Sequence, residues 1–435
     1  MPCLSFRKIV FIFFAMLTLC GCFSQSGRGV FTLPTQHQVI SGESLTSSLN
    51  IPQNIRNNIV FRTNRPEFLA IDAEGRPVVR GTGKFEASIR LFDLIPLRYM
   101  TVTALPQIKV VPGGQAIGIL VHAQGVMVVG QAPVVGENGD ERMPAKEAGI
   151  KVGDVILKIN GHQVISESDV RSLVDEAGQK GQQLVMELKR RDDVYKTSLR
   201  PVRCSETGRY RIGLLVRDST AGVGTLTFYD PLTKSYGALG HVIADAQTAQ
   251  AIQLANGKIV EAFIQDIRPG RRGQPGEKVG TFARDNGISG TINKNSVFGI
   301  FGLLLDPPET GVYHQAIPVA LVNQVKCGPA QMLTVIEGRK VESFDIKIER
   351  IRHEGRRDGR GLMIRITDER LLEKSGGIVQ GMSGSPIIQD GRFVGAVTHV
   401  FINNPARGYG VPAEWMLDEC GLLEAPSAEQ DRNAA

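Results

Sequence analysis

The stretch IVQGMSGSPI, residues 378–387, places two serines in a turn that glycines bracket and apolar runs flank. Glycine allows the positive φ angles of a tight turn and serine tolerates turns, so one interpretation is purely structural. The other is chemical, because such a turn can aim successive backbone N–H groups into one concavity beside a hydroxyl. Ser383 is therefore a candidate nucleophile, and the N–H groups of Gly381 and Ser383 form a candidate oxyanion hole.

The residues after this turn predict a β-ribbon. PIIQDGRFVGAVTHV (386–400) is typical of a strand, an Asp-Gly hairpin turn and a second strand, and GYGVPAEWM (408–416) leads into a helix. This order resembles the second barrel of chymotrypsin-like serine proteases, which implies that Ser383 is the nucleophile. Met382 stands where that class has an aspartate before the serine, so activation by a new N-terminus that pairs with the aspartate cannot operate.

A serine hydroxyl needs a base within hydrogen-bonding reach, and histidine is the natural base. His241 in YGALGHVI and His399 in GAVTHV are both candidates, and spacing alone does not choose between them. The candidate for orienting the imidazole is Asp368 in RITDERLL, 15 residues ahead of Ser383. Asp368 also stands where a helix N-cap belongs, so capping is an alternative explanation of this aspartate.

Composition limits the classes of protein that this chain can belong to. A chain of 435 residues exceeds what one hydrophobic core usually serves, which predicts two to four domains. The 49 glycines and the single tryptophan favour many turns and short strands over a helical bundle. The net charge of +6 lies partly in glycine-broken clusters without interleaved aromatic residues, so we expect solvated loops and no nucleic-acid partner.

The N-terminus predicts export. Arg7 and Lys8 precede IVFIFFAMLTL, an apolar run with the length of a secretory signal core, so residues 1–22 are an export signal or a membrane anchor. LCGC (19–22) resembles a lipoprotein box with Cys22 as the acceptor, and cleavage, lipidation and retention as an anchor all remain open. The other cysteines are scattered singly, and their spacing suits neither a disulfide framework nor zinc. We expect no metal and no cofactor.

The chain is expected to be mainly β, with a small N-terminal β domain at 30–103, a second domain at 104–203, a double β-barrel at 208–425 and a disordered tail at 426–435. MPAKEAGIKVGDVILKINGHQV (143–164) resembles a bacterial PDZ domain through its short helix, Gly-Asp turn, strand and Asn-Gly hairpin turn. SESDVRSLVDEAG (166–178), which follows, is typical of a capped amphipathic helix. PDZ domains add an extended peptide to a sheet edge beside a helix. The resemblance implies a peptide-binding loop at Ile117, Gly118 and Ile119, and a plain hairpin is the alternative.

Longer motifs behind the PDZ-like segment resemble one family. They are YGALGHVI, GEKVGTFARDNGISGTINKNSVFGIFG, RITDERLL and GGIVQGMSGSPIIQDGRFVGAVTHVFINNP, and together with the PDZ pattern they cover about residues 104–422. This order is similar to the stage IV sporulation protein B family, the signalling serine peptidases of endospore-forming bacteria. The resemblance implies a chymotrypsin-like peptidase in which His241 is the general base, Asp368 orients it, Ser383 attacks, and His399 has a supporting role.

The resemblance also implies a biological role. Members of that family are exported across the forespore inner membrane into the space between forespore and mother cell, and they trim themselves. They then cut the membrane-bound regulator of an intramembrane protease that activates a late sigma factor, pro-sigma-K. The PDZ domain is implied in self-recognition and in presenting the target. Two alternatives remain open, a PDZ scaffold without catalysis and a general quality-control protease of exported proteins.

Overall fold

A computed structural model of the chain describes residues 33–49, 51, 56–282, 287–309, 311–352 and 357–423. The chain divides into two compact units. One consists of Met1–Lys109, Pro318–Val325 and Gly421–Ala435, and the other of Val110–Ile317 and Lys326–Cys420. The expected export segment at 1–22 and the tail at 426–435 lie outside the described residues. No helix within the described ranges is long and apolar enough to cross a bilayer.

The N-terminal domain is built on a four-stranded sheet. Its elements are β1 (Gln36–Ile40), α1 (Leu45–Ser48), β2 (Ile59–Thr63), β3 (Leu69–Ile71), β4 (Pro77–Val79), β5 (Gly83–Leu91) and β6 (Ile95–Leu105). The sheet order is β1-β6-β5-β2, and β3 pairs with β4 in a separate ribbon. Successive side chains of a strand point to opposite faces, and Phe85, Ala87 and Ile89 of β5 are accordingly buried in one core.

The PDZ module follows β7 (Lys109–Pro112) and begins within a long strand, β8 (Ala116–Gln131). Its other elements are β9 (Val134–Val135), β10 (Glu141–Arg142), α2 (Pro144–Glu147), β11 (Val155–Ile159), β12 (His162–Gln163), α3 (Glu167–Gln179), β13 (Leu184–Arg190), β14 (Asp193–Leu199), β15 (Val202–Arg203) and β16 (Tyr210–Arg211). One hydrophobic core, which runs from Val126 to Ile212, packs α3 against the sheet.

Local chemistry explains two of these PDZ elements. Helix α3 begins with a capping box, because the Ser166 hydroxyl accepts from the Asp169 N–H and the Asp169 carboxylate accepts from the Ser166 N–H. Asn160 and Gly161 have φ angles of 50° and 82°, the pair of positive values that a tight hairpin turn requires. The predicted helix and hairpin turn are confirmed.

Five of the next eight strands join β8 in a closed six-stranded barrel, which we call barrel 1, and the other three pair outside that ring. The eight strands are β17 (Leu214–Tyr229), β18 (Ser235–Ala238), β19 (Leu254–Arg268), β20 (Glu277–Phe282), β21 (Ser289–Thr291), β22 (Lys294–Ser296), β23 (Gly299–Asp306) and β24 (Ile317–Pro318). The barrel closes in the order β8-β19-β21-β23-β18-β17 and back to β8. Its core includes Leu226, Tyr236 and Ile300, none of which is exposed.

The PDZ module is inserted into barrel 1. The first half of β8 pairs with β17 on one side and β19 on the other, so that Ile119 lies opposite both Gly222 and Ile259. Barrel 1 therefore begins before the predicted domain start at residue 208, because its first strand precedes the PDZ module. β8 runs on from barrel to PDZ module with no turn between its two halves, so the sequence carries no signal of a boundary there.

Barrel 2 contains the serine turn. Its elements are β25 (Gly328–Val335), β26 (Val341–Ile351), β27 (Leu362–Ile366), α4 (Glu369–Ser375), β28 (Pro386–Gln389), β29 (Arg392–Phe401), β30 (Asn404–Pro412) and α5 (Ala413–Glu419). The six strands close in the order β25-β26-β27-β30-β29-β28. Asp390 and Gly391 make the predicted hairpin turn between β28 and β29, with φ angles of 51° and 72°. The mainly β fold with two barrels and a PDZ domain is confirmed.

Candidate active site

The serine turn lies between α4 and β28 and depends on two glycines with positive φ. Gly381 and Gly384 have φ angles of 92° and 93°. A side-chain carbon at Gly384 would lie 2.2 Å from the carbonyl oxygen of Thr225, so this position has no room for any other residue. The turn therefore packs its backbone directly against β17 of barrel 1.

Two buried threonines of β17 bind the carbonyl groups of the turn. The Thr225 hydroxyl donates to the Gly381 carbonyl at 2.7 Å, and the Thr225 N–H donates to the Ser383 carbonyl at 3.0 Å. The Thr227 hydroxyl donates to the Gly384 carbonyl at 2.8 Å. These bonds fix the Gly381–Met382 peptide and the two peptides that follow Ser383. Sequence reasoning missed both threonines, because nothing local distinguishes them from other threonines in strands.

The fixed peptides leave two donors at the site. The Gln380 carbonyl accepts from the Lys278 N–H at 2.9 Å, and the Met382 carbonyl accepts from the Ser385 N–H at 3.0 Å. Because a trans peptide directs its N–H opposite to its C=O, the N–H groups of Gly381 and Ser383 point away from these contacts. Within the described ranges, neither N–H donates to any acceptor of the chain. The two predicted oxyanion-hole donors are thus available to a ligand.

His241 follows β18 after a tight bend. Leu239 and Gly240 have φ angles of 68° and 71°, and the His241 Nδ1 lies 2.9 Å from the Val242 carbonyl oxygen. With the proton on Nδ1, that carbonyl accepts it and Nε2 carries the free lone pair. Burial lowers the pKa of the His241 imidazole below its usual value. The neutral form, which can accept a proton, therefore predominates at pH 7.

Ser383 and His241 line the same cleft, which has a volume of about 630 Å³. The Ser383 hydroxyl donates to the Thr398 carbonyl at 2.9 Å, and no hydrogen bond to His241 occurs in the part of the chain that the structure describes. Hydrogen bonds between a nucleophile and its base are often long or misaligned before substrate binds. Rotation of the serine hydroxyl away from Thr398 would direct it into the cleft that His241 also lines.

Asp368 does not lie beside His241. Its carboxylate accepts from the Leu371 N–H at 2.9 Å and so caps the N-terminus of α4. The other carboxylate oxygen faces the Asp345 N–H at 3.4 Å. Gly359, which precedes β27, lies near the Gly240 carbonyl beside His241, whereas Asp368 follows the opposite end of β27. The structure supports the capping alternative and does not bring Asp368 into the cleft.

The capping role gives a stability prediction. We expect Asp368→Ala to lower the free energy of unfolding by about 1 kcal/mol, because the α4 N-terminus loses its side-chain acceptor. Asp368→Asn retains an acceptor and should cost only a few tenths of that amount. Urea unfolding of both variants measures the difference. Equal destabilisation by Asn and Ala would show that the cap contributes nothing.

A second histidine lies beside His241. The ring centroids of His241 and His399 are 5.4 Å apart, and the His399 Nδ1 is buried without a hydrogen-bond partner among the described residues. Burial, followed by the charges of His241 and Arg360, lowers the pKa of His399 to about 4. The opposing charge is that of Asp358, which pairs with Arg352 at 3.0 Å. His399 is therefore a neutral neighbour of the base, consistent with the supporting role that the resemblance implies.

The predicted peptide-binding loop is wrong. Ile117, Gly118 and Ile119 lie in β8, where strands pair on both edges, so they offer no free edge to a peptide. Ile117 is fully buried in the core of barrel 1, and an aspartate there would place an unpaired charge in that core. The Ile-Gly-Ile pattern suited a PDZ loop, but in this chain it belongs to the barrel strand that leads into the PDZ module.

A free strand edge occurs elsewhere, where the first residues of β17 pack against the core of the PDZ module. Gly213, with a φ of 76°, makes a turn into β17, whose first residues, Leu214–Arg217, pair in the described chain with β8 alone. Helix α3 lies beside this segment, because the Asp218 carboxylate accepts from the Glu167 N–H and the Asp175 carboxylate from the Tyr210 N–H. The RIGLL sequence at 211–215 was the available signal for this glycine turn, and sequence reasoning overlooked it.

Metal binding finds no support in the geometry. Among the described residues, no three His, Cys, Asp or Glu side chains cluster as ligands of a metal ion would.

The two barrels and the shared cleft define a serine peptidase domain that carries a PDZ module between its first two strands. Residues 208–417 match the sequence model of the SpoIVB peptidase S55 family, and residues 137–190 match a PDZ domain model. The chain therefore carries a SpoIVB peptidase S55 domain together with a PDZ domain.

Individual proteins with known sequences or structures resemble only parts of this chain. A putative zinc metalloprotease of Clostridium perfringens is 37% identical over 71 residues, which are 16% of this chain and 20% of that protein. The chain thus spans about a fifth of the curated relative that it matches. The Rv3671c protease of M. tuberculosis is 17% identical in its active form, over 48% of this chain and 78% of that structure, with a TM-score of 0.27.

A second structural match is the PDZ domain of the SdrC-like protein of Listeria monocytogenes. It is 19% identical, and the match covers 21% of this chain and 87% of that domain, with a TM-score of 0.17.

Proposed function

We propose that this chain is an exported signalling serine endopeptidase that processes itself and then cleaves the membrane-bound regulator of an intramembrane protease. In this proposal it acts in the space between forespore and mother cell and triggers activation of pro-sigma-K. The observation that carries the proposal is the shared cleft of Ser383 and His241 within a domain that matches the SpoIVB peptidase S55 family.

The cleft geometry supports acyl transfer through a serine. His241 Nε2 takes the proton of Ser383 as Oγ attacks the scissile carbonyl, and the free N–H groups of Gly381 and Ser383 bind the developing oxyanion. The protonated imidazole then gives its proton to the leaving amine, and water completes the second half of the reaction. The Val242 carbonyl, which accepts from Nδ1–H, holds the tautomer that this sequence of transfers requires.

The walls of the cleft indicate the class of substrate. Apart from His241 and His399, its lining residues carry no ionisable side chain, and they include Leu239, Ile378 and Val379. The edge of β29 after Thr398 also borders the cleft and offers backbone groups to an extended peptide. The substrate is therefore an extended segment with an uncharged, apolar side chain next to the scissile bond.

This cleft predicts a side-chain preference. A peptide with Val, Leu or Phe before the scissile bond should have a kcat/KM at least about tenfold above that of the matched Lys or Asp peptide, because the cleft gives a charge no partner. A series of fluorogenic peptides that differ at this residue alone measures the ratio. A preference for Lys or Asp would contradict this assignment of the cleft.

The PDZ module supports recognition of the chain itself or of the membrane-bound target. In our proposal an extended segment adds to the free edge of β17 at Leu214–Arg217, beside α3. β-strand addition derives its affinity from main-chain hydrogen bonds and its specificity from the pockets of alternate side chains. This mode suits recognition of an unfolded N-terminal segment or of a flexible linker near a membrane.

The mature N-terminus tests the proposal. Mass spectrometry of the full chain should detect a trimmed N-terminus in the wild type and an untrimmed one in Ser383→Ala, with casein left largely intact by both. Broad degradation of casein would instead indicate a general protease of exported proteins. A wild-type chain that is never trimmed, and does not react with a fluorophosphonate, would be a PDZ scaffold.

A further inference from the structure

Lys278 of β20 is a buried lysine without a carboxylate partner. Only 5% of its surface is exposed, and its Nζ donates to the Thr334 hydroxyl of β25 at 2.8 Å. The Thr334 hydroxyl also lies 3.0 Å from the Ser385 hydroxyl, and none of the ion pairs in the described chain includes Lys278. Burial lowers the pKa of the Lys278 ammonium to about 7. Such a group is costly, so an apolar residue would serve the core better.

The backbone of Lys278 holds one peptide of the oxyanion hole. Its N–H donates to the Gln380 carbonyl at 2.9 Å, while the Gln380 N–H donates to the Gly276 carbonyl at 2.8 Å. The Gln380–Gly381 peptide is therefore held from the side opposite to the Gly381 N–H. This short parallel pairing between β20 and the serine turn fixes the direction of one of the two oxyanion donors.

The side chain of Lys278 supports the same peptide. A carbon attached to the Gly381 Cα would lie 3.1 Å from both Cβ and Cδ of Lys278, so the aliphatic stem lies directly against Gly381. The bond from Nζ to Thr334 anchors the far end of the stem on β25. The stem thus fills the space into which Gly381 would move if its peptide rotated.

We propose that Lys278 is a positioning residue that keeps the Gly381 N–H directed into the oxyanion hole. This inference rests on the proposed peptidase chemistry and extends it. Met382 replaces the aspartate that orders the oxyanion hole in enzymes activated by a new N-terminus. In this chain, Lys278 and the β19–β20 hairpin orient the Gly381 N–H instead. The hole is consequently assembled in the folded chain without a prior cleavage.

The test compares Lys278→Ala and Lys278→Met with the wild type. Lys258→Ala is the matched control, because Lys258 is an exposed lysine of the same hairpin. We expect Lys278→Ala to lower kcat by about 10²-fold with KM changed less than about threefold, the pattern for loss of one oxyanion donor. Lys278→Met keeps the stem but loses the anchor and should be intermediate. Lys258→Ala should behave as the wild type does.

An inhibitor separates positioning from folding. A peptide trifluoromethyl ketone forms a hemiketal whose oxyanion occupies the hole, so its affinity should fall with kcat/KM across the variants. The thermal midpoint of Lys278→Met should not fall, because methionine removes the cost of a buried ammonium. A folded Lys278→Ala enzyme that keeps kcat and inhibitor affinity within about threefold of the wild type overturns the inference.

Three further outcomes are decisive. Loss of activity in Lys278→Met that merely parallels a loss of thermal midpoint would assign the residue to folding and overturn the inference. Failure of self-trimming in a wild type that still hydrolyses small peptides would refute the signalling role alone, and the Lys278 comparison would stand. A wild-type protein that hydrolyses no peptide would refute both the proposed peptidase function and the inference about Lys278.

Discussion

Ser383→Ala is expected to abolish peptide hydrolysis, with a fall in kcat of about 10⁶-fold. His241→Ala should lose nearly as much, because the nucleophile and its base act as a unit and their losses do not add. The small residue of activity would come from binding and the oxyanion donors alone. Steady-state hydrolysis of an apolar peptide by each variant, at equal folded concentration, measures these losses.

The control for this experiment is Ser205→Ala. Ser205 lies in the turn before β16, is exposed and does not line the cleft. Its hydroxyl donates to the Val135 carbonyl of β9. Its activity should equal that of the wild type. If Ser383→Ala hydrolysed the peptide at the rate of Ser205→Ala, a different nucleophile would have to be sought.

A fragment that starts at residue 208 is expected not to fold. Such a fragment lacks β8, which closes barrel 1 by pairing with both β17 and β19. Burial of Ile117, Ile119 and Val121 contributes about 1.5–3 kcal/mol each. Loss of all three approaches the 5–15 kcal/mol that stabilises a typical domain, and it leaves two strand edges exposed.

The matched fragment, residues 104–435, keeps β8 and with it all strands of barrel 1, the inserted PDZ module and barrel 2. It should give a cooperative thermal transition and react with a fluorophosphonate, whereas the 208–435 fragment should show neither. Circular dichroism and probe labelling of the two fragments make this comparison. A cooperative, reactive 208–435 fragment would contradict the placement of β8 in the peptidase barrel.

Local patterns in the sequence sufficed for the elements whose geometry local residues determine. The Asp390-Gly391 hairpin, the Ser166 capping box and the glycines at 381 and 384 each carry their own backbone requirement, and each lies where it was expected. The order of these elements also indicated a double barrel. The pair of His241 and Ser383 followed from the family resemblance, and the structure places both in one cleft.

Features that depend on distant pairing were not predictable in this way. A strand pattern such as AIGIL fits a PDZ strand and a barrel strand equally well, and only its partners β17 and β19 decide. Asp368 has the residue type of a triad acid, but α4 uses it as a cap. Lys278 and Thr225 act through contacts more than 50 residues away, at Thr334 and Gly381, which no local pattern reveals.

The most direct test of the account is the intact mass of the protein after reaction with diisopropyl fluorophosphonate, followed by mapping of the modified peptide. The account predicts one phosphoryl adduct per chain, located on Ser383, formed rapidly by the wild type and very slowly by His241→Ala. An adduct on another residue, or equal labelling of Ser383→Ala and the wild type, would contradict the assignment of nucleophile and base.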